Sequence, residues 1–373
     1  MDESNRKFWL GFSRAAGIGA VRLRALLDRF GDIATAWSAS EAELREIGLP
    51  THAVDGLLAA RRELDLDRQL ELVTAAGCEV LTWDDPGFPP ALFEIASPPI
   101  VLYVWGAIRP VDRLAVAVVG TRRPSAYGQA VARDLGTALA VHGVTVVSGL
   151  ARGIDSLAHR AALDAGGRTL AVLGSGLDQI YPPEHRALAQ EIAEHGAVLT
   201  EYPPGVRPEA GNFPVRNRIV AGLARAVVVV EAGEASGALI TAEFAADEGR
   251  EVFAVPGGIY SLASRGTNRL IASGATPMLS PEDILRALDV EERPGDEVVE
   301  AAASFGGDLE SALAGMLTDE PVHADDLVVR SGRAPSEVVA ALAMLELRGR
   351  AVQVGAMHYV RARAPRRVAE VDR

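Results

Sequence analysis

The feature that most constrains the fold of this chain is a series of apolar, Val-rich segments between Ala115 and Leu279, nearly all followed by a glycine- or arginine-bearing turn and a helical stretch. Apolar runs of this length that alternate with amphipathic helices are typical of a parallel sheet covered on both faces. Because the carboxyl ends of parallel strands lie along one edge of a sheet, we expect the turns to line one groove. The segments and turns read, in chain order, A-V-A-V-V-G-T-R-R, T-V-V-S-G-L-A-R-G-I-D, L-A-V-L-G-S-G, V-L-T-E-Y, V-V-V-V-E-A-G and V-F-A-V-P-G-G.

The first turn carries Thr121, Arg122, Arg123 and Ser125 shortly after Gly120. The first N–H groups of a helix have no partners inside the helix, so an anion bound there satisfies them while arginine adds charge. Glycine turns and helix N-termini of this kind bind phosphate. Alternatively, Ser125 is only an N-cap and both arginines are solvated, and for this turn taken alone that alternative prevails.

The second turn places Arg152 between Gly149 and Gly153, and Asp155 and His159 follow at positions i and i+4 of the next helix. Such a pair could be a general base with its orienting carboxylate. No nucleophile or metal ligand accompanies the pair, so a hydrogen bond inside the helix that holds the turn is the better supported interpretation. We therefore predict no catalytic residue and no metal site here.

The third turn, formed by Gly174, Ser175 and Gly176, has only the first part of a dinucleotide-binding fingerprint. Gln179 stands where the third glycine of that fingerprint belongs, and the first strand of the sheet lacks the motif. This pattern disfavours a dinucleotide, and we predict no cofactor.

The most diagnostic segment is N-F-P-V-R-N-R, residues 212–218, at the opening of a helix. Its arginines are charged donors, and its aromatic ring is either a stacking surface for an unpaired base or a core residue. A later turn opens another helix that is suited to an anion. The candidate residues in these two places are Phe213, Arg216, Asn217, Arg218, Ser236 and Gly237.

Composition limits the classes of function. Lys7 is the only lysine, so the Gly-Lys pair of a Walker A loop is missing and a P-loop NTPase is excluded. One cysteine rules out an internal disulfide and, with only seven histidines, disfavours zinc. The formal net charge of −13 argues against nucleic acid, but residues 113–225 carry more Arg than Asp plus Glu, which allows a basic groove. With no signal-peptide or membrane-span pattern, we expect a cytoplasmic protein.

The domain organisation follows from changes in composition along the chain. One long helix is predicted around residues 53–75, and a G-I-G turn before residue 20 either resembles a helix-hairpin-helix or is an ordinary turn between helices. The winged-helix pattern near the C-terminus has Glu337 and Glu346 on its third helix, which favours a protein contact or a structural role over reading of a DNA major groove. The predicted regions are a helical domain at 1–82, a sheet domain at 83–288, an acidic linker at 289–308 and a winged helix at 309–373.

Taken together, the motifs resemble those of the DNA-processing protein A family (DprA, also called Smf). The resemblance spans roughly residues 83–279, and the outer domains look similar as well. Two departures are Arg123, where the family often has Lys, and Ala224, where it often has Ser. The matching motifs are V-V-G-T-R-R-P-S-x-Y-G, S-G-L-A-R-G-I-D-x-x-A-H, V-L-G-S-G-L-D-x-I-Y-P, F-P-x-R-N-R-I-V-A-G-L, V-V-E-A-x-x-x-S-G-A-L-I-T-A and V-P-G.

The resemblance implies an α/β fold in which an extended Rossmann-like parallel sheet lies between an all-α N-terminal domain and a C-terminal winged helix. It also implies a homodimer without known catalysis that binds single-stranded DNA, protects incoming strands during natural transformation and loads the RecA recombinase on them. By motif match, the strand-binding residues would be Arg122, Arg152, Phe213, Arg216, Asn217 and Arg218, with backbone amides from Gly120, Gly149 and Gly174.

Two other classes of function share parts of this sequence pattern. Lysine-decarboxylase-like phosphoribohydrolases share a Rossmann-like core, but they need P-G-G-x-G-T-x-x-E, in which the Glu assists glycosidic cleavage. Here a longer insert separates Pro256-Gly257-Gly258 from Gly266-Thr267, and Leu270 stands at the position of the Glu, which disfavours hydrolysis. A transcription factor that uses the winged helix is disfavoured by the acidic third helix.

Overall fold

A computed structural model describes residues 5–290, 308–318, 320–347 and 350–362 of the chain. The chain forms two compact units, Met1–Glu291 and Glu292–Arg373. The predicted fold class is confirmed: a helical N-terminal region, a large mainly parallel sheet and a winged helix follow one another. Most of the predicted linker and the residues after 362 lie outside the described residues, and the exact domain bounds stay a prediction.

The N-terminal region contains six short helices between residues 6 and 75, and side chains cap three of them. Asp32 accepts the N–H groups of Ala34 and Thr35 at one helix start. The long helix expected over residues 53–75 is two helices, because Leu64 is extended and Asp65 caps the second one. The bounds are α1 Arg6–Arg14, α2 Ala20–Phe30, α3 Ile33–Ser38, α4 Glu41–Glu46, α5 Thr51–Glu63 and α6 Leu66–Ala75.

Nine strands form the central sheet in the order β1-β2-β6-β5-β4-β3-β7-β8-β9. The β1–β2 and β2–β6 pairs are antiparallel, and every other neighbouring pair is parallel. The parallel sheet was thus predicted correctly, and the sequence of residues 83–106 indicated a packed linker and a lead-in strand, which is β2, but β1 and the antiparallel pairing were not predicted. The strands are β1 Glu79–Thr82, β2 Val101–Gly106, β3 Ala115–Val119, β4 Thr145–Ser148, β5 Thr169–Val172, β6 Ala197–Thr200, β7 Ala226–Val229, β8 Glu251–Ala254 and β9 Thr276–Pro277.

Both faces of the sheet are buried. Along β3, Ala115, Ala117 and Val119 pack in one cluster, whereas Val116 and Val118 pack in the other, as the alternation of a strand requires. The flanking helices are α7 Pro90–Phe93, α8 Ala126–Val141, α9 Ile154–Asp164, α10 Arg186–His195, α11 Asn212–Leu223, α12 Gly237–Asp247, α13 Arg265–Ala272 and α14 Pro281–Ala287. The N-terminal helices share a third cluster with α10 and the ends of β4 and β5.

The strand order locates the site. From β3 the chain proceeds outward through β4, β5 and β6, and it then returns to the other side of β3 to form β7, β8 and β9. The strand order therefore reverses between β3 and β7. In open α/β sheets, ligands bind at the carboxyl ends of the strands beside such a reversal.

The second unit is a small winged helix with its own core, which includes Leu313, Leu327, Leu342 and Tyr359. Its strands pair in the order β10-β12-β11. Within the described ranges, no helix is long and apolar enough to cross a membrane. The elements are α15 Asp308–Met316, β10 Val322–His323, α16 Ala324–Ser331, α17 Pro335–Leu347, β11 Ala351–Gly355 and β12 His358–Arg361.

Candidate nucleic-acid interface

An open groove of about 850 Å³ lies at the carboxyl ends of β3 and β4, between the first turns of α11 and α12. The strand reversal beside β3 thus coincides with this groove. A small pocket adjoins it and is lined by Arg122, Arg152 and Tyr181. The predicted residues that line the groove itself are Gly120, Thr121, Arg122, Gly149, Phe213, Arg216, Asn217, Ser236 and Gly237.

Arg122 and Phe213 place a positive charge beside an aromatic ring in the groove. The guanidinium of Arg122 lies 5.8 Å from the centre of the Phe213 ring, and the centres of the Tyr181 and Phe213 rings are 5.7 Å apart. Gly174 makes room for the Phe213 ring, because a Cβ there would come 3.1 Å from it. The arrangement offers an aromatic face with a positive charge beside it, which suits a base and its phosphate.

Arg216 lies in the groove wall and is only 4% exposed. Its Nη1 donates to the carbonyl of Gly149 at 2.8 Å and also to the carbonyl of Val172, so it joins the ends of β4 and β5. Burial lowers the pKa of Arg216 to about 10, although the carboxylate of Asp155 opposes that shift. The side chain therefore remains charged near neutral pH, and it supports the wall while adding a positive field to the groove.

Two glycine turns that the sequence predicted to bind phosphate already hold carboxylates of the protein. Glu231, 2% exposed, accepts from the backbone N–H of Ser125 at 2.9 Å and from its Oγ at 2.5 Å, in front of α8. Asp155 of α9 accepts the N–H groups of Gly149 and Ala151, in the turn before that helix, at 3.1 and 3.3 Å. Burial raises the pKa of Asp155, because desolvation outweighs the nearby charge and hydrogen bonds.

Asp155 and His159 do not act as a pair. The imidazole Nδ1 of His159 lies 2.6 Å from Oγ1 of Thr169, and Asp155 holds the turn through backbone amides instead. The prediction that a hydrogen bond between these two side chains explains their spacing is therefore wrong. Burial lowers the pKa of His159 to about 3, so this buried side chain is neutral at pH 7.

The starts of α11 and α12 face the groove and are more open. Gly211 gives α11 no side-chain cap, and Ser236 caps α12 with one bond, from the N–H of Ala238 to its Oγ at 3.3 Å. Asn217 joins the two helices by donating to the carbonyl of Gly237. Helix N-termini carry partial positive charge, so these two starts favour an anion in the groove.

The remaining predicted residues lie at the rim or behind the walls. Arg123 is exposed beside the first turn, whereas Arg152 pairs with Glu184 at 2.5 Å. Arg218 donates to both carboxylate oxygens of Glu201, each at 2.6 Å. The other predicted residues form hydrogen bonds within the protein or lie against its backbone: Ser125, Gly153, Ser175 and Gly176.

Three residues that shape this region were not predicted as site residues: Tyr181, Glu184 and Glu231. Glu231 does have a sequence signal, because it is a lone charge directly after a run of four valines. Tyr181 and Glu184 belong to the I-Y-P-P-E segment, whose position beside the second turn depends on tertiary structure. The described residues contain no group of three or more His, Cys, Asp or Glu that could hold a metal ion.

Comparison with known proteins gave consistent matches. Residues 79–289 match the model of the family described as DNA recombination-mediator protein A, and residues 300–357 match the DprA winged helix domain. Protein Smf of Synechocystis is 37% identical, covering 97% of this chain and all of the relative. The X-ray structure of DNA processing protein A from Streptococcus pneumoniae superposes with a TM-score of 0.67 at 33% identity, covering 77% of this chain and 98% of that one.

A second solved structure, DNA processing protein A from Helicobacter pylori, superposes with a TM-score of 0.52 at 32% identity. It covers 57% of this chain and 98% of that chain. The work on that protein describes a single-stranded DNA binding mode.

Proposed function

The chain belongs to the DNA recombination-mediator protein A family, the DprA/Smf family, and from that membership we propose that it binds single-stranded DNA without sequence preference. The observation that carries the proposal is the groove beside β3, where exposed Arg122 lies above the face of Phe213. Charged donors bind phosphates, and aromatic faces stack on any unpaired base, so neither contact selects a sequence. The single-stranded DNA binding of the Helicobacter pylori relative supports the proposal.

The strand would contact the residues that line the groove, with Arg122, Phe213 and the starts of α11 and α12 as its main partners. Arg123 and Arg152 would meet phosphates at the rim, because both side chains are exposed. The other predicted residues would hold the walls through their internal contacts: Ser125, Gly153, Gly174, Ser175, Gly176 and Arg218.

The wider role that we propose is protection of incoming strands and loading of the RecA recombinase during natural transformation and recombination. The protein would act in the cytoplasm as a homodimer, and it would bind the strand rather than cleave it. Two observations support binding over the phosphoribohydrolase alternative. Leu270 stands where that class needs a Glu, and the carboxylate of Glu231 is buried and bonded to Ser125.

Fluorescence anisotropy with a labelled oligonucleotide tests the proposal. The chain should bind the single strand more tightly than a duplex of the same length, with similar affinity for different sequences. Affinity should fall steeply as salt increases, because each neutralised phosphate releases counterions. Equal or tighter binding of the duplex at two salt concentrations would refute single-strand binding as the function of this groove.

A further inference from the structure

The exposed ion pair between Arg152 and Glu184 lies beside the groove. Arg152 belongs to the turn after β4, and Glu184 belongs to the short 3-10 helix Pro183–His185. Arg152 Nε and Glu184 Oε1 are 2.5 Å apart, and each side chain is 51% exposed. Arg152 also lines the small pocket that adjoins the groove, together with Arg122. An arginine at the edge of the strand path therefore already has a carboxylate partner.

The exposure of this pair sets it apart from the structural ion pair nearby. Arg218 and Glu201 are 12% and 19% exposed, and their two hydrogen bonds brace the start of α11. An ion pair that is half exposed contributes little to stability, because water and salt screen it and both side chains lose freedom. The carboxylate of Glu184 can consequently be exchanged for another anion without a large loss of folding free energy.

We propose that Glu184 is an internal competitor for the phosphate that Arg152 binds. This inference rests on the proposed binding of single-stranded DNA. A phosphate of the strand must displace a carboxylate of the protein before it can pair with Arg152. Other contacts of the same ligand in the groove offset the free-energy cost of breaking the Arg152–Glu184 pair. A polynucleotide makes such contacts, whereas an isolated phosphate or mononucleotide gains little affinity from Arg152. Glu184 thereby sets a threshold that favours long ligands.

The test compares the full chain with its Glu184→Gln variant, in which the amide keeps the size of the side chain and removes the charge. Affinity for a labelled oligonucleotide should rise about threefold to tenfold at low salt, as expected for removal of one charge about 5 Å from a phosphate in water-like surroundings. The plot of log affinity against log salt should become steeper by at most about 0.7, the value for one neutralised phosphate on a single strand, because no carboxylate then stays beside the phosphate that Arg152 binds.

Two further variants give the controls. In the Arg152→Ala background, the additional Glu184→Gln change should produce no gain in affinity, because the arginine for which Glu184 and the phosphate compete is absent. Glu191→Gln removes an equal charge from a similar pair, since Glu191 lies 2.6 Å from Arg160 with 38% and 43% exposure, and neither residue lines the groove. That variant should change affinity less than twofold, because Arg160 lines neither the groove nor the small pocket, so Glu191 competes with no phosphate there.

The outcomes separate the two proposals. If neither the parent nor Glu184→Gln binds single strands, the proposed function fails and this inference fails with it. If the parent binds and Glu184→Gln behaves like Glu191→Gln, binding stands and the competitor role is wrong. A gain that persists in the Arg152→Ala background, or a loss of affinity in Glu184→Gln with an unchanged melting temperature, overturns the competitor role as well.

Discussion

The guanidinium of Arg122 is exposed at the groove rim, so its removal should affect binding rather than folding. We expect Arg122→Ala to weaken single-strand binding by about 1 to 3 kcal/mol, the range for a charge-assisted contact. Arg225→Ala is the matched control, because Arg225 is exposed directly before β7, at the opposite edge of the sheet. Titration with an oligonucleotide and a melting curve measure both properties. Equal affinities for the two variants would place the strand elsewhere.

Substitution of Arg216 should affect folding more than binding, because this side chain is buried and bridges the carbonyls of Gly149 and Val172. Its loss leaves two buried acceptors without this donor and removes the nearest compensation for the charge of Asp155. We expect Arg216→Ala to lower the free energy of unfolding by about 3 kcal/mol or more. Urea unfolding measures this loss of stability, and the affinity per folded molecule shows whether Arg216 also contacts the strand. An unchanged stability with a large loss of affinity would identify Arg216 as a direct strand contact.

The difference between these two arginines marks the limit of prediction at the level of residues. Both follow a glycine turn or open a helix in the sequence, and both were predicted as strand donors. Burial separates them, and it arises because the start of α11 lies across the ends of β4 and β5. No local pattern contains that contact, since Arg216 and Gly149 are 67 residues apart.

Turns and helix starts were predictable as elements, whereas their partners were not. The glycine turns do gather at the carboxyl edge of the sheet, as the Val-rich segments indicated. The anion in front of α8 is Glu231, which is 106 residues from Ser125, so the sequence alone favoured an external phosphate there. The open helix starts are instead those of α11 and α12.

Helix α9 buries His159, and this gives stability a pH dependence. Burial, together with the charges of His185 and Arg216, lowers the folded-state pKa of His159 from 6.5 to about 3. The unfolded chain therefore takes up a proton as pH falls below about 6.5, while the folded chain does not until about pH 3. The contribution is complete above pH 6.5 and is lost on acidification. The raised pKa of Asp155 acts in the opposite direction just above its ordinary value of 3.8.

A His159→Gln variant isolates the contribution of this histidine, because Asp155 is common to both chains. The difference in unfolding free energy between parent and variant should shift against the parent by on the order of 2 to 3 kcal/mol between pH 7 and pH 4. Urea unfolding at several pH values measures it. A difference that stays constant with pH would mean that His159 titrates alike in the folded and unfolded chains.

At the scale of the whole molecule, the sequence predicted the α/β core, the helical N-terminal region and the winged helix. The spacing of apolar residues along the chain indicates these elements, because a helix or strand is recognisable from its own pattern and the apolar face that it must bury. Residues 83–106 were expected to form a packed linker and a lead-in strand, which is β2, but β1 and the antiparallel pairing of both strands were missed, since their segments are short and Pro-rich segments lie beside them. The place of β2 is fixed by pairing with β6, which lies nearly 100 residues away, and β1 pairs in turn with β2.

Every groove residue lies in the first compact unit, so the second unit should be dispensable for strand binding. Helix α17 exposes Glu337, Val339, Met344 and Glu346, which offer no positive charge to phosphate. Residues 291–373 also carry more acidic than basic side chains, so their removal should leave affinity nearly unchanged or raise it slightly at low salt, where screening is weakest. The exposed apolar residues of α17 are better suited to a protein contact.

Truncation after Val290 tests this division of roles. The full chain and the truncated chain are titrated against the same fluorescent oligonucleotide at two salt concentrations, and a melting curve of each confirms that the first unit is folded. Affinities within about twofold at the higher salt are expected, because screening there suppresses the repulsion by the acidic tail. A large loss of affinity at both salt concentrations would show that the winged helix binds DNA directly. The DNA would then contact a face of that unit other than the acidic surface of α17.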